Sequence, residues 1–519
     1  MDNKMVLAIV LSAIVLFSYQ IFFIEMDEPP LPVDGAPAKV AEPTLQAPAQ
    51  NDAVPALPAT QFSSSPSLDQ GLSDQSLRIV DGRDVVLEND LIIATFSTSG
   101  GHLQSLRLKE HQEDGRGGAM VEMIRAGYPA FTSVIATPTG NIDLAGLPFT
   151  VEQQTDNSVT FHTLLPDGRD VRKQYTLSGA YEFSIRYDME CAPGACAAVT
   201  TLPVEIVANV KGDTFSFEGI VHGSADAGLD KIKYSDVSAV RDIRNIGYGG
   251  VMDKYFLIAF LPSPQDTFRL FPDIPQRGAA LVSPLGTSVT VFAGPKLKGI
   301  LNTYDVGLSQ TIDYGFLSIL AAPLMQAIRW FYSLTGNYGV AIILLTVCIK
   351  IIFFPLSHKS YKSMKKISVL APELKKLKEK FKNDPQKLNT ATMELYKTHK
   401  ANPLSGCLPI LVQIPVFFAL YKTLMNAIEL RHAPFALWIN DLSALDPYYI
   451  TPVIMGATMF LQQKMTPTAM DPVQRKIMLS LPIVFTFLFM TFPSGLILYW
   501  IVNNVLSIAQ QYYINKRPD

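Results

Sequence analysis

The chain has 519 residues, enough for two or three domains, and 48% of them are hydrophobic, a proportion high for a wholly soluble protein. Its 43 basic and 46 acidic residues leave a net charge of −3 that hides an asymmetry, since lysines crowd residues 359–400 while the first third is acidic or neutral. Four cysteines are too few for a disulfide framework, and their spacing matches no zinc pattern.

In chain order, residues 5–24 (MVLAIVLSAIVLFSYQIFFI) form an apolar run behind Lys4. The nearest small-residue triplet, Ala36-Pro37-Ala38, is distant and carries a proline, so an uncleaved signal-anchor helix over 1–26 is predicted. Residues 27–75 are rich in Pro, Ala, Ser and Gln without periodicity and read as a disordered linker that supplies reach. Over 76–314 the pattern shifts to period two. In YEFSIRYDM, Tyr181, Phe183, Ile185 and Tyr187 alternate with Glu182, Ser184, Arg186 and Asp188, and Pro166-Asp167-Gly168 separates two further runs as a hairpin turn would. An all-β sandwich is predicted. His102, His162 and His222 are scattered without ligand spacing and read as surface or core histidines, and no metal site is predicted. A Pro-Gly turn inside CAPGAC could bring Cys191 and Cys196 together, so a local disulfide is expected if this region lies outside the cytoplasm.

Residues 315–337 predict an amphipathic helix with Pro323 in its first turn and Leu324, Ile328 and Phe331 on one face. Such a helix suits either the membrane interface or a cap on the β domain; the hydrophobic span that follows within a few residues favours the interface. Residues 338–515 then hold five apolar segments, at about 339–357, 404–425, 449–463, 477–492 and 494–513. With the N-terminal anchor they make six spans. The lysine-dense loop, Lys464, Arg475, Lys476 and Lys516-Arg517 all fall on one side if both termini are cytoplasmic and the β domain lies outside.

The loop at 358–400 predicts a helical hairpin broken at Asn383-Asp384-Pro385, with Leu374, Leu377 and Phe381 on one inner face and Leu388 and Leu395 on the other. Its lysines, Lys375, Lys376, Lys378 and Lys380 among them, form either a solvated face that orients the protein or a docking surface for lipid headgroups, ribosomal RNA or acidic nascent segments.

Lys350 stands inside LLTVCIKIIFFP, where a central lysine costs about 2.5 to 3.5 kcal/mol. It lies roughly 12 Å from the cytoplasmic end of its helix, so one reading is that it snorkels to the interface. Thr346, one turn earlier on the same face, argues for a polar stripe instead. Gln413 lies inside another span, and Asn503 or Asn504 with Ser507 continues the face of Trp500 on the last. Several spans each supplying a polar group suit a shared hydrated cavity better than isolated interhelical bonds. Cys348 and Cys407 read as small buried hydrophobes. Residues 449–463 would cover only about 22 Å, against a hydrocarbon core of about 30 Å, and local thinning of the bilayer is expected.

The segments NPLSGCLPILVQIPVFFALYKTL, RHAPFALWINDLSALDPYYITPVIMGATMFLQQKM and FPSGLILYWIVNN closely resemble the YidC membrane-protein insertase family, most specifically over about 338–513. The resemblance implies a five-helix core enclosing a hydrophilic groove, open to cytoplasm and lipid and closed toward the periplasm, in the bacterial inner membrane. It also implies one positive charge on the second span, commonly arginine; Lys350 occupies the matching position, keeping the charge without the guanidinium fork. Thr346 and Trp500 match positions that contact substrate in the groove, and Phe417 and Met455 match lipid-side contacts for the incoming helix. Implied partners are nascent membrane-protein substrates, lipids, the Sec translocon and the ribosome, the last met mainly by the 358–400 hairpin because the basic tail of some relatives is missing after the last helix. No nucleotide fingerprint appears, and neither a cofactor nor a specific nucleic-acid sequence is expected. Two rival readings are a secondary transporter for a small anion, which the lack of an internal repeat disfavours, and a periplasmic scaffold whose β domain is the active part.

Overall fold

The computed structural model describes residues 82–516, apart from 114, 116, 193, 205–216, 400–407 and 467–471. The expected signal anchor and linker therefore lie outside the described residues, as does Cys407.

The alternating runs form antiparallel sheets. In spatial order, one sheet of nine strands contains Gly228–Ile232, Gly219–Ser224, Tyr248–Met252, Phe256–Leu261, Ser288–Pro295, Glu182–Met189, Asp170–Leu177, Ser158–Leu164 and Thr150–Gln154. A six-stranded sheet contains Arg241–Ile243, Thr267–Leu270, Ala279–Pro284, Ala197–Leu202, Ser133–Thr137 and Gly140–Asp143. A third sheet, of four strands, covers residues 84–122. Phe183, Ile185 and Tyr187 point inward while Arg186 is exposed, as period two requires. The Pro166-Asp167-Gly168 turn joins two strands paired from Ser158↔Thr176 to Leu164↔Asp170. Polar bonds cross between the two larger sheets: the Tyr187 hydroxyl bonds with Ser133 Oγ at 2.7 Å and accepts from Thr200 Oγ1 at 3.0 Å. Lys173, fully buried, donates to the Phe131 carbonyl at 2.7 Å and to Ser133 Oγ at 2.9 Å. Cys191 and Cys196 are joined as a disulfide with their Cα atoms 6.2 Å apart.

Helix α1 (Ser318–Thr335) starts five residues before Pro323, which sits in its second turn rather than its first. The break is tolerated because the carbonyl that Pro323 leaves unpaired belongs to Ile319, itself 89% exposed, so polar surroundings can reach it. The buried stripe is Ala321, Met325 and Ile328; Leu324 and Phe331 are only partly buried. Ala321 packs in the core of the β domain, whereas Met325 and Ile328 pack in the helical core, so α1 joins the two. Its opposite face exposes Ile319, Trp330 and Leu334.

Helix α2 (Tyr338–Ile352) ends earlier than the expected span over 339–357. The chain bends by 63° into α3 (Phe354–Val369), because Pro355 has no amide to continue the ladder and its ring opposes the carbonyl four residues back. Helices α4 (Ala371–Lys380) and α5 (Pro385–Thr398) follow, with Asp384 capping α5 through the Lys387 amide at 3.0 Å and Pro385 opening it. His399 lies 3.8 Å from Glu373, which brings the far ends together as an antiparallel hairpin. The last four helices are α6 (Leu408–Asn426), α7 (Ile450–Met465), α8 (Pro472–Phe489) and α9 (Ser494–Lys516).

Among the described residues no single helix is both long enough and apolar enough to cross a membrane unaided, and α2 with α3 qualifies only as a bent pair. The helices found in the described part of the expected spans are thus shorter or more polar than self-sufficient ones. Cα packing divides the chain into two units. One comprises Ser64–Lys362, Leu404–Thr466 and Leu479–Asp519, uniting the β domain with most of the helical core, and the hairpin belongs to the other.

Candidate functional site

The polar residues of the apolar helices converge. Lys350, in the last turn of α2, donates from Nζ to Ser507 Oγ on α9 at 2.7 Å. Ser507 Oγ in turn donates to the Asn503 carbonyl at 2.7 Å, and Tyr361 of α3 bonds with the side chains of Ser507 and Gln462. Asn504, one residue round the α9 surface, donates to Thr458 Oγ1 on α7 at 3.1 Å. Gln510 Nε2 donates to the Phe354 carbonyl at 3.4 Å, beside the bend between α2 and α3. Among the described residues no carboxylate pairs with Lys350.

Toward the other end of the helices, Gln413 Nε2 on α6 donates to the Tyr499 hydroxyl on α9 at 2.5 Å. Thr346 is buried and donates its hydroxyl proton to the Ile342 carbonyl at 2.7 Å, so it has no proton left to offer the stripe. Trp500 is half-buried, with its ring 4.8 Å from Phe417 and 5.0 Å from Phe489. Met455 is fully buried within the helical core, not on an outward face, so a contact with an incoming helix would require α7 to move.

The structure thus brings together Lys350, Asn503, Asn504 and Ser507 around the α2–α9 contact, and Gln413 near Trp500 and Phe417 on α6 and α9. Sequence reasoning missed Tyr361, Thr458, Gln462, Tyr499, Gln510 and Gln511. The Gln510-Gln511 pair within an otherwise apolar helix was a usable signal, because adjacent amides there have no ordinary apolar role. Gln511 is fully buried, and neither polar atom of its side chain has a protein partner; Asn503 Oδ1 is in the same position. A buried amide without a protein partner costs free energy unless water or another polar group reaches it.

The segment between α6 and α7 is tied to the third β sheet. Arg431 donates to the Glu113 carbonyl at 3.2 Å, and His432 bonds the Gln112 carbonyl at 3.0 Å while its other ring nitrogen lies 3.0 Å from Asp441. Burial, reinforced by the charge of Arg431 and by His432, lowers neighbouring His111 to a pKa of about 4. On the hairpin, Lys375, Lys376, Lys378 and Lys380 are all exposed, with the Lys380 ammonium 5.4 Å from the centre of the Phe381 ring. Among the described residues no cluster of His, Cys, Asp and Glu is arranged to hold a metal.

Residues 84–327 match the YidC periplasmic domain, and residues 330–519 match the 60Kd inner membrane protein family. A membrane protein insertase YidC of Citrifermentans bemidjiense is 41% identical over 546 aligned positions, covering 99% of each chain. That of Geobacter sulfurreducens is 44% identical, covering 81% of this chain and 84% of the relative. A crystal structure described as an active YidC insertase with its first transmembrane domain resolved aligns with a TM-score of 0.40 at 20% identity, covering 83% of this chain and 92% of that one.

Proposed function

Since this chain belongs to the YidC family and is a membrane protein insertase, we propose that it moves hydrophobic segments of new proteins from cytoplasm to inner membrane through a hydrated groove whose single positive charge is Lys350. The observation that carries this reading is the bond from Lys350 to Ser507 with no carboxylate beside it among the described residues. A lysine kept for stability would be expected to hold a counter-ion. This one is held by a neutral hydroxyl, which an incoming carboxylate can replace with a stronger, charge-assisted bond. Ser507 therefore acts as a place-holder while the groove is idle.

The process needs no hydrolysis. Burial of the substrate's apolar helix in lipid provides the drive, at about 25 cal/mol per Å² of apolar surface, and the groove lowers the barrier for the polar flank that must cross. Waters at the unpaired amides of Asn503 and Gln511 keep that flank solvated on the way. Short helices thin the bilayer along the route; α7, with 16 residues, covers about 24 Å against about 30 Å of hydrocarbon. Phe417 and Trp500 offer the emerging helix an apolar wall at the groove's edge. In this reading six spans place both termini in the cytoplasm and the β domain in the periplasm, the hairpin lysines receive ribosomes or anionic lipid, and the chain acts alone or beside the Sec translocon.

Photo-crosslinkers at Phe417 and Trp500 test the route. Stalled nascent chains carrying one hydrophobic segment should form adducts from both positions and none from exposed Leu164 of the β domain. Adducts absent from both helical positions, with insertion intact, would exclude this path.

A further inference from the structure

The stretch from Pro434 to Ile450, the later part of the connection between α6 and α7 with the first residue of α7, is turned inside out. Its exposed side chains are Pro434, Ala436, Leu437, Ala444, Leu445, Pro447, Tyr448, Tyr449 and Ile450, and Asn440 is the one exposed residue that is neither apolar nor aromatic. Leu437 is 86% exposed and Tyr448 66%. Both carboxylates of the segment face inward and are satisfied there. Asp446, 2% exposed, accepts from Trp438 Nε1 at 3.1 Å, the Tyr448 amide at 3.0 Å, and the amide and hydroxyl of Thr451 at 2.7 and 2.8 Å. Asp441 accepts from the amide and hydroxyl of Ser443 and pairs with His432. A segment that faced water would do the opposite.

Nor can this surface fold itself away. Its backbone is tied to the start of α9, where Ser494 N donates to the Ala444 carbonyl at 2.8 Å and Gly495 N to the Leu442 carbonyl at 2.9 Å. Asn337, at the start of α2, donates to the Phe435 carbonyl at 2.9 Å, and a Cβ on Gly339 would meet the Phe435 ring at 2.0 Å. Leu437 and Tyr449 hold left-handed backbone, φ 56° and 55°, a conformation that costs such residues about 1–2 kcal/mol and persists because the surrounding bonds impose it.

We propose that this segment is a lipid-inserted collar: Leu437, Leu445, Tyr448 and Tyr449 enter the headgroup–acyl boundary of the outer leaflet and hold the closed end of the groove at that depth. Continuity with the lipid-facing wall of α7 identifies lipid as the occupant. Tyr449 lies one turn from Val453 (55% exposed), and Ile450 one turn from Ile454 (41% exposed), so the exposed apolar strip of the helix runs without interruption into the collar. Tyrosines at the end of a membrane helix suit the boundary layer, where their rings are buried and their hydroxyls remain wet. The proposal rests on the topology of the insertase reading, which puts this end of the helices outside.

The test uses the full chain with Cys348 and Cys407 replaced by serine, reconstituted in vesicles of phosphatidylethanolamine and phosphatidylglycerol, and spin-labelled at Leu437→Cys, Tyr448→Cys or, as an aqueous control, Leu164→Cys. Labels at 437 and 448 should collide with lipid-soluble oxygen in preference to a water-soluble nickel chelate, and the label at 164 should show the reverse. The 448 site, whose backbone is ordinary, decides the matter where a label at 437 disturbs folding. Nickel collision at 448 equal to that at 164 overturns the collar. So does shielding that appears only after another membrane protein is added, which would make the surface a protein interface. Label depth is measured without substrate, so a failure of Lys350 to affect insertion would count against the groove and leave the collar standing.

Discussion

Lys350 separates a tolerated charge from a working one. If it only snorkels, Lys350→Leu should be neutral or slightly stabilising, because a costly charge leaves the membrane. In the groove reading, Lys350→Leu should reduce insertion of substrates with acidic translocated tails, Lys350→Arg should retain it, and Lys350→Glu should harm acidic tails most through like-charge repulsion. Protease protection of reporter tails of graded charge measures this in cells depleted of the native insertase, and equal insertion by all four forms would remove Lys350 from the mechanism. At the same scale, His102 of the β domain predicts a pH response. It is 1% exposed, and burial, assisted by Lys173 and Arg277, lowers its pKa from 6.5 to about 4. The folded ring stays neutral while the unfolded one takes a proton, so stability is full above about 6.5, falls on the order of 3 kcal/mol as pH drops to about 4, and then levels off. Amide protection in the strands around His102, corrected for the intrinsic exchange rate at each pH and measured in the full chain, should fall over that window, and the fall should flatten in His102→Asn.

Among the helices, the close approach of α7 and α8 depends on the absence of a side chain. A Cβ on Gly456 would lie 1.9 Å from Thr486 Oγ1, whose own hydroxyl is committed to the Pro482 carbonyl at 2.8 Å. Gly456→Leu should force these helices apart at a cost of about 1–3 kcal/mol and reduce insertion of every substrate whatever its charge, a pattern unlike that of Lys350 variants. The hairpin responds differently. Its lysines are exposed on α4, so replacing Lys375, Lys376, Lys378 and Lys380 with glutamine should leave its fold intact while weakening association with ribosomes or anionic vesicles, in the same direction as raised salt. Co-sedimentation across a salt series checks this, and binding that is unchanged and salt-insensitive would assign the lysines to a solvated face.

For the molecule as a whole, α1 decides how separable the β domain is. The N-terminal half of α1 supplies Ala321 to the β core and its C-terminal half supplies Ile328 to the helical core, while Thr423 of α6 donates to the Ala321 carbonyl at 3.2 Å and Arg329 pairs with Glu429 at 2.6 Å. Deleting 80–300 should therefore lower the amount of folded protein and leave insertion per folded molecule largely intact, whereas deleting 316–335 should abolish it. Complementation at matched membrane levels distinguishes the two, and equal loss from both deletions would make the β domain part of the machine.

Local chemistry was enough to read much of this chain from its sequence. Period-two alternation around Phe183 to Tyr187, the turn at Pro166-Asp167-Gly168, the cap at Asp384-Pro385 and the isolated charge at Lys350 each depend on residues within a few positions of one another, and such patterns survive without knowledge of the fold. Tertiary structure alone decided the rest, because those features depend on partners far apart in sequence. Ser507 meets Lys350 across 157 positions, and Gln413 meets Tyr499 across 86. Thr346 was expected in contact with substrate in the groove and Met455 on the lipid side, yet packing buries both, since a helix face is turned by the neighbours it must accommodate. Only the fold shows Asp441 and Asp446 turned inward and Leu437 and Tyr448 turned out, because a short loop with its backbone tied to α2 and α9 has no freedom to choose which side chains it hides.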